Sequence, residues 1–306
     1  MLHFSKVIFQ KNNIKMRKFK IFLIFLSFIV ITTIIYLNYS FTTYSQPQIE
    51  FTTTKNLTHP IKPYTNLTCF KQNQKVQPID QNHFKVLVWN IHKAGDPGWL
   101  QNLKKYAIHR DFLLLQESTQ KVLHNPVLDK QFPHRLYASS FRYQNKSSGV
   151  SIFSRFNPES YCAGMVPEPW IKIPKVGVAE FFPIKNHLPL LVINIHAINF
   201  ELKPTNYRKQ VKQLMEVLHQ YKGPVILAGD FNAWNTYRHH FLQKITTQYG
   251  LQEVKFYPDY RLRFWGNPLD YVYIRGLKVE KATTEQTQSS DHNPLLLELS
   301  LPKTNP

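Results

Sequence analysis

The sequence predicts an α/β or α+β domain behind an N-terminal membrane-spanning helix. From about residue 84, short apolar runs of strand length alternate with amphipathic stretches of helical period. Upstream, Ile21–Leu37 is strongly apolar and carries no charge. The composition, 43% hydrophobic and 14% aromatic, can build a sizeable core and does not suggest a disordered chain. No fixed-period repeat is visible.

The first element is a membrane signal. Lys11, Lys15, Arg17, Lys18 and Lys20 precede the apolar run, and no charged residue occurs from Ile21 through Ile49. Such a stretch can cross a hydrocarbon layer of roughly 30 Å. Cations before the span and none soon after it orient the N-terminus to the cytoplasm. Residues 1–20 are therefore expected as a basic cytoplasmic tail and 21–37 as a transmembrane anchor. The alternative is a cleaved signal peptide, but Leu37-Asn38-Tyr39-Ser40-Phe41 offers few small residues at a cut site.

Residues 38–80 read as a linker. They are rich in Thr, Asn, Gln and Lys, contain Pro47, Pro60, Pro63 and Pro78, and sustain no apolar periodicity. Asn56-Leu57-Thr58 and Asn66-Leu67-Thr68 match the short glycosylation pattern. Residues 81–306 form the expected domain. Phe84–Trp89 and Phe112–Leu115 read as buried strands. Between them, Asp96-Pro97 reads as a helix cap with proline in the first turn, opening a helix to about Tyr106. Further strands are expected at Gly149–Phe153, Val176–Phe182, Leu190–Ile195, Pro224–Leu227, Tyr271–Ile274 and Leu295–Leu299. Thr205–Tyr221 reads as an amphipathic helix with Tyr207, Val211, Leu214, Met215 and Leu218 on one face.

The formal charge of +19 divides into +9 over residues 1–79 and +10 over 80–306. The domain's basic excess fits a phosphate-rich partner such as nucleic acid, anionic lipid or nucleotide, and equally a solvated basic surface. The two cysteines, Cys69 and Cys162, are too few for a disulfide framework and lack zinc-type spacing. They are free thiols or, in an oxidising compartment, one bridge.

Polar groups concentrate where the apolar strands end. Asn90 follows the first strand and Gln116-Glu117 the second. His196 follows Leu190–Ile195, and Gly229-Asp230-Phe231-Asn232 follows the strand at 224–228. Leu269-Asp270 and Ser290-Asp291-His292 flank the last two. Adjacent strands can bring such groups to one sheet edge, where rigid elements hold a site. Hard oxygen donors suit Mg²⁺ or Mn²⁺. Imidazoles beside carboxylates supply acid–base groups. Together they imply metal-assisted attack of water on a phosphate ester.

Seven blocks occur in order over roughly residues 84–300: Trp89-Asn90-Ile91, Leu115-Gln116-Glu117, Ser148-Gly149-Val150, Asn194-Ile195-His196, Gly229-Asp230-Phe231-Asn232, Leu269-Asp270-Tyr271-Val272 and Ser290-Asp291-His292. In that order they resemble the endonuclease/exonuclease/phosphatase superfamily, and in detail its bacterial YafD-like branch. The resemblance implies a four-layer sandwich, two packed, mostly antiparallel sheets flanked by helices. It implies Glu117, Asn90 and Asp291 around a divalent metal, Mg²⁺ or Mn²⁺. His292, oriented by Asp270, would act as general base or phosphate ligand. Asp230 and Asn232 would position the attacking water, and His196 would bond a phosphoryl oxygen. Some nucleases of the superfamily carry an acid two residues after the first asparagine. His92, followed by Lys93, stands there in this chain, which puts a second metal in doubt.

The expected activity is a divalent-metal phosphodiesterase, nuclease-like, with a membrane-associated lipid-headgroup phosphoesterase as the alternative. A catalytically inactive phosphate-binding module is the alternative of another class. The expected partners are the phosphate-ester substrate, nucleic acid or lipid headgroup, and a membrane through the N-terminal helix. The expected place is the bacterial inner membrane with the domain in the periplasm, or secretion after cleavage.

Overall fold

Each apolar run of the domain forms a strand, and the strands collect into two sheets packed face to face. The computed structural model describes residues 2–52, 58–169 and 173–302. In chain order the strands are β1 (Phe41–Thr52), β2 (Thr58–Ile61), β3 (Thr68–Gln72), β4 (His83–Asn90), β5 (Phe112–Thr119), β6 (His134–Tyr143), β7 (Lys146–Ser154), β8 (Ser160–Pro167) and β9 (Pro174–Phe182). They continue with β10 (Leu190–His196), β11 (Val225–Asp230), β12 (Gln252–Glu253), β13 (Arg263–Phe264), β14 (Asn267–Pro268), β15 (Asp270–Arg275), β16 (Lys278–Thr284) and β17 (Leu295–Ser300). The longer helices are α1 (Leu2–Ser40), α2 (Trp99–Ala107), α3 (Thr205–Met215) and α4 (Thr236–Gln248).

The first sheet runs β1-β6-β7-β5-β4-β17-β16 and the second β12-β15-β11-β10-β9-β8-β3-β2. Most neighbours are antiparallel, and β4 with β5 and β10 with β11 are parallel. Alternate residues of the central strands, such as Val86, Val88, Leu114, Val178, Val192, Ile226 and Val272, are buried between the sheets. Each such side chain contributes about 1.5–3 kcal/mol by leaving water. The opposite face of the second sheet is covered by α3 and α4 through Tyr207, Val211, Leu214 and Leu242. Leu103 and Tyr106 of α2 cover the first sheet at Trp89. Helix, sheet, sheet and helix are the four layers the resemblance implies.

The chain forms two compact units, one built on α1 and the other holding Thr43–Arg142 and Lys146 onward. In the first, α1 extends through the basic segment as well as the apolar run. Its residues Met16–Leu37 have mean hydropathy 2.4, long and apolar enough to cross a membrane or to serve as a signal sequence.

The stretch expected as a linker carries three strands. β1 lies at one edge of the first sheet, and β2 and β3 lie at one edge of the second. Edge strands bury only part of their length, as the largely exposed and half-buried residues of β1 show, so no apolar period marks them. Of the two glycosylation patterns, Asn56 lies outside the described residues. The first domain helix begins later than expected, at Trp99, behind Gly98 with φ +76°. Asp96 does not cap it, because its carboxylate accepts from His92 Nδ1 at 2.8 Å. The helix expected over Thr205–Tyr221 ends at Met215 and passes into a 3-10 turn at Glu216–Leu218.

Cys69 of β3 and Cys162 of β8 are cross-strand partners and form a disulfide. It spans 93 positions of sequence, so it restricts a long loop of the unfolded chain. Cys69→Ala/Cys162→Ala is expected to lower stability by about 3 kcal/mol. Thermal unfolding with and without reductant checks this; an unchanged Tm in both comparisons contradicts it.

Glu180 of β9 shares the inward face with Val178 and Phe182 and is 2% exposed. Burial pushes its carboxyl well above the ordinary carboxylate range. Folding therefore requires the acid to stay protonated above its unfolded pKa. Each pH unit in that window costs about 1.4 kcal/mol, until the folded pKa is passed. Wild-type stability is expected to fall as pH rises from 5 to 8, and Glu180→Gln to flatten that fall. Parallel slopes in denaturant titrations of the two proteins would contradict it.

Candidate active site

The inward faces of five strands continue past their apolar residues and end in polar ones. Along β4 the series is Val86, Val88, Asn90. Along β5 it is Phe112, Leu114, Gln116. Along β10 it is Val192, Asn194, His196, and along β11 Ile226, Ala228, Asp230. On β15 Asp270 precedes Val272 and Ile274 on the same face. Because side chains alternate with period two, these polar ends share one mouth of the inter-sheet core. Register completes the arrangement: Asn90 pairs with Gln116, His196 with Asp230, and Asp230 with Asp270.

A polar bridge joins the two sheets under this mouth. Gln116 Nε2 donates to Asn194 Oδ1 at 2.6 Å, and Asn194 Nδ2 donates to the carbonyls of Leu115 and Ser151. Gly229 permits the close approach of β10 and β11. Its φ is +140°, and a Cβ there would lie 2.0 Å from the Ile195 carbonyl oxygen.

Glu117 needs a special device, since its place in β5 would aim it away from the core. A register shift between Gln116 and Ser118 forms a bulge, and Glu117 takes φ +50°. The bulge turns its carboxylate to within 4.0 Å of His196 Nε2. Lys93 Nζ donates to the other carboxylate oxygen, Oε2. Lys93 itself lies in a left-handed turn, φ +59°, just past Asn90.

Asp230 is the hub. Its Oδ2 accepts from Asn90 Nδ2 at 3.2 Å, with His196 Nε2 at 3.6 Å and His292 Nε2 at 3.9 Å. Its Oδ1 accepts from the Asn232 backbone N–H at 2.9 Å. Asn232 takes φ +46°, and its side-chain amide donates to the Ala197 carbonyl. His292 Nδ1 bonds Asp270 Oδ2 at 2.7 Å. Its loop is fastened to β4: Ser290 Oγ donates to the Asn90 carbonyl at 2.6 Å, and Trp89 Nε1 donates to the His292 carbonyl at 2.9 Å. Asp291, by contrast, is exposed, with a carboxylate oxygen 3.4 Å from Ser290 Oγ. Of the eight residues expected to carry the chemistry, seven converge and Asp291 stands on the solvent side.

The electrostatics separate the groups. Burial works against a charged His292, but the charge and hydrogen bond of Asp270 raise it to about 10. Burial, with Lys175 alongside, pulls His196 down to about 4. Burial pushes Asp230 above the ordinary carboxylate range, against the pull of His292 and His196. Burial alone would raise Glu117, but His196, Lys93 and Lys175 bring it down to about 2.

Two residues of this constellation have no motif to announce them. Lys175, near the start of β9, places Nζ 3.1 Å from His196 Nε2. An ionisable residue opening an otherwise apolar strand was the available signal. Arg238 of α4 is fully buried. Its guanidinium donates to the carbonyls of Ile198, Asn199, Glu201 and Asn232 at 2.6–3.0 Å. It thereby ties the loop after β10 to the loop after β11. In the sequence nothing distinguished it from the other basic residues of the helix.

The donors fit a hard divalent cation. Glu117, held ionised, and the Asn90 side-chain carbonyl oxygen are oxygen ligands of the kind Mg²⁺ and Mn²⁺ take. Glu117 also attracts a cation in the structure, the Lys93 ammonium. Among the described residues, one trio of acids and histidine has ligand atoms mutually within 4.8 Å: Asp230, Asp270 and His292. The 2.7 Å bond between Asp270 and His292 commits that pair to each other.

Comparison with known proteins adds a family. Residues 87–292 match the sequence pattern of the endonuclease/exonuclease/phosphatase family. A UPF0294 protein of Vibrio parahaemolyticus is 32% identical over 284 residues, covering 92% of this chain and 99% of the relative. Another, of Yersinia enterocolitica, is 38% identical over 224 residues, covering 72% of this chain and 85% of the relative. Among solved structures, ANGEL2, a 2',3'-cyclic phosphatase, in complex with adenosine-2',3'-vanadate superposes with TM-score 0.57 at 17% identity, over 74% of this chain and 98% of that one. At that identity the likeness bears on the fold alone.

Proposed function

The chain belongs to the endonuclease/exonuclease/phosphatase family, and we propose that it is a divalent-metal-dependent phosphodiesterase, nuclease-like in that water attacks the diester phosphorus. The observation that carries this reading is the convergence of Glu117, Asn90, His196, Asp230, Asn232, Asp270 and His292 on one mouth of the core. Glu117 and Asn90 would hold Mg²⁺ or Mn²⁺, with Asp291 reaching it through water. The bound ion would neutralise charge on the phosphoryl oxygens.

The chain's own groups divide the remaining work. Asp230, made more basic by burial, orients the attacking water and accepts its proton, while Asn232 fixes the carboxylate through its backbone N–H. His292, held charged by Asp270, donates from Nε2 to a phosphoryl oxygen. The Lys175 ammonium, which donates to the neutral His196 at Nε2, supplies a second donor near Asp230, and His196 positions it there. The leaving oxygen departs as the water oxygen–phosphorus bond forms.

The apolar helix α1 supports a membrane-anchored protein with a cytoplasmic N-terminus, and the Cys69–Cys162 disulfide supports an oxidising compartment for the domain, such as the periplasm. A second reading, a lipid-headgroup phosphoesterase, is favoured by α1 together with the exposed aromatic residues beside the site.

The test is hydrolysis of bis(p-nitrophenyl) phosphate by the detergent-solubilised full chain. Turnover is expected with Mg²⁺ or Mn²⁺, lost with EDTA and restored by the metal. No turnover with any divalent metal, together with flat calorimetric titrations, would support the inactive phosphate-binding module instead.

A further inference from the structure

Beside the catalytic mouth lies a feature that phosphodiester chemistry does not use. Phe200, Leu202, Trp234, Phe264, Trp265 and Leu269 line an apolar cleft of about 370 Å³ that shares Asn232 with the site. Its apolar rim is left open to solvent: Trp265 is 75% exposed, Leu202 69%, Phe200 55% and Phe264 50%. Contiguous exposure of that kind marks an interaction surface.

The rim is built and held. β13 and β14 make a hairpin whose two turn residues, Trp265 and Gly266, have φ +47° and +80°. Positive φ suits Gly266 and strains Trp265, so the tight turn holds a bulky aromatic outward against its backbone preference. Arg263 braces the tip, donating to the Gly266 carbonyl at 3.0 Å and to Asp259 at 2.7 Å. Trp234 packs edge-on against both Phe264 and Trp265.

Several polar atoms around the cleft are already engaged. The Asn199 carbonyl accepts from Trp234 Nε1 and Arg238, and the Glu201 carboxylate accepts from Asn206 and the Tyr207 N–H. Such a lining suits a hydrocarbon chain better than the hydrogen-bonding edge of a base. The chain also supplies a bilayer. It passes from α1 into β1 with no residue between them, so the domain is tethered without a spacer to any membrane that holds Met16–Leu37. The exposed cation Lys203, next to the rim in sequence, suits anionic headgroups.

We propose that this cleft seats the acyl region of a phosphodiester lipid, with Phe264 and Trp265 dipping into the bilayer interface and the lipid's phosphate delivered to the Asp230–Asn232 side of the site. The proposal rests on the phosphodiesterase reading and narrows its substrate to a membrane lipid.

The full chain in mixed micelles is assayed with phosphatidylinositol, phosphatidylcholine, sphingomyelin, bis(p-nitrophenyl) phosphate and a single-stranded oligonucleotide. Turnover of at least one lipid is expected. Phe264→Ser/Trp265→Ser is expected to lower the ratio of lipid to soluble-diester turnover at least tenfold. An unchanged ratio, turnover of the soluble diester with none of any lipid, or selective loss of oligonucleotide cleavage overturns the proposal. No turnover of the soluble diester strikes the phosphodiesterase reading instead. A second measurement then still decides: dibrominated phosphatidylcholine is expected to quench a fluorescence component of the full chain that Trp265→Phe removes. Equal quenching of the two proteins overturns the insertion.

Discussion

His292→Ala is expected to lower kcat/KM for a phosphodiester by about 10³-fold while leaving the fold intact. Two features of the site make the effect large. The imidazole is buried, with Nε2 aimed toward the carboxylate of Asp230, so a donor there acts where water cannot replace it. Asp270 also holds the ring charged, and charge-assisted donors are roughly twice as strong as neutral ones. The loop should survive the substitution, because Trp89 and Ser290 fasten its backbone and not the imidazole. Asp270→Asn keeps the ring in place and removes the charge behind it. A loss of about 10- to 100-fold is expected, as for other partners that act through a functional group. Steady-state kinetics with a thermal melt on each variant checks both. A full-rate His292→Ala protein would remove this residue from the chemistry. Glu117→Ala provides the separate metal arm: calorimetric Mg²⁺ or Mn²⁺ binding should vanish, whereas His292→Ala should retain it.

The legibility of this site in the sequence has a physical reason. A catalytic group at a strand end needs the apolar strand behind it, and the inward period that buries Val86 and Val88 also delivers Asn90. The same holds for Ala228 and Asp230, and for Val192, Asn194 and His196. Such groups therefore announce themselves as polar interruptions of apolar runs. Glu117 was visible for the same reason, although the bulge that aims it was not, since backbone reversal at a glutamate has no residue signature. Asp291 shares its block with His292, and one step of the chain turns it to the solvent side, from where it would reach the site through water. Sheet edges were illegible because β1, β2 and β3 bury too little to carry a period. The pairing of Cys69 with Cys162 depends on β3 lying beside β8, a neighbourhood that separations along the chain do not contain. Lys175 and Arg238 escaped because each acts through neighbours that only the folded chain brings to it.

Arg238→Met is expected to destabilise the domain by on the order of 4 kcal/mol and to reduce turnover in the protein that remains folded. The guanidinium is fully buried between the rings of Tyr207 and Trp234, with its carbon 4.5 and 4.8 Å from their centroids. Methionine can fill much of that space, so the transfer of apolar surface changes little. What it cannot replace is the fork of donors. The carbonyls of Ile198, Glu201 and Asn232 would lose the Arg238 donor in a region water reaches poorly, at about 1–3 kcal/mol each, while the Asn199 carbonyl keeps Trp234 Nε1; the loss is offset in part by the relief of burying a cation. Arg238→Lys keeps the charge and loses the fork, so it should recover only a minor part of the stability. The catalytic consequence follows from which carbonyls are involved. Asn232 presents its N–H to Asp230 from a left-handed backbone, and Arg238 bonds the carbonyl of that same residue. Releasing it lets Asp230 lose its fixed orientation, so kcat should fall about tenfold or more with metal affinity at Glu117 unchanged. Denaturant titration gives the first quantity, and kinetics well below each variant's Tm with metal calorimetry gives the second. A variant that unfolds earlier yet turns over at the wild-type rate when folded would make Arg238 a packing residue alone. Unchanged stability would mean that the loops after β10 and β11 hold themselves.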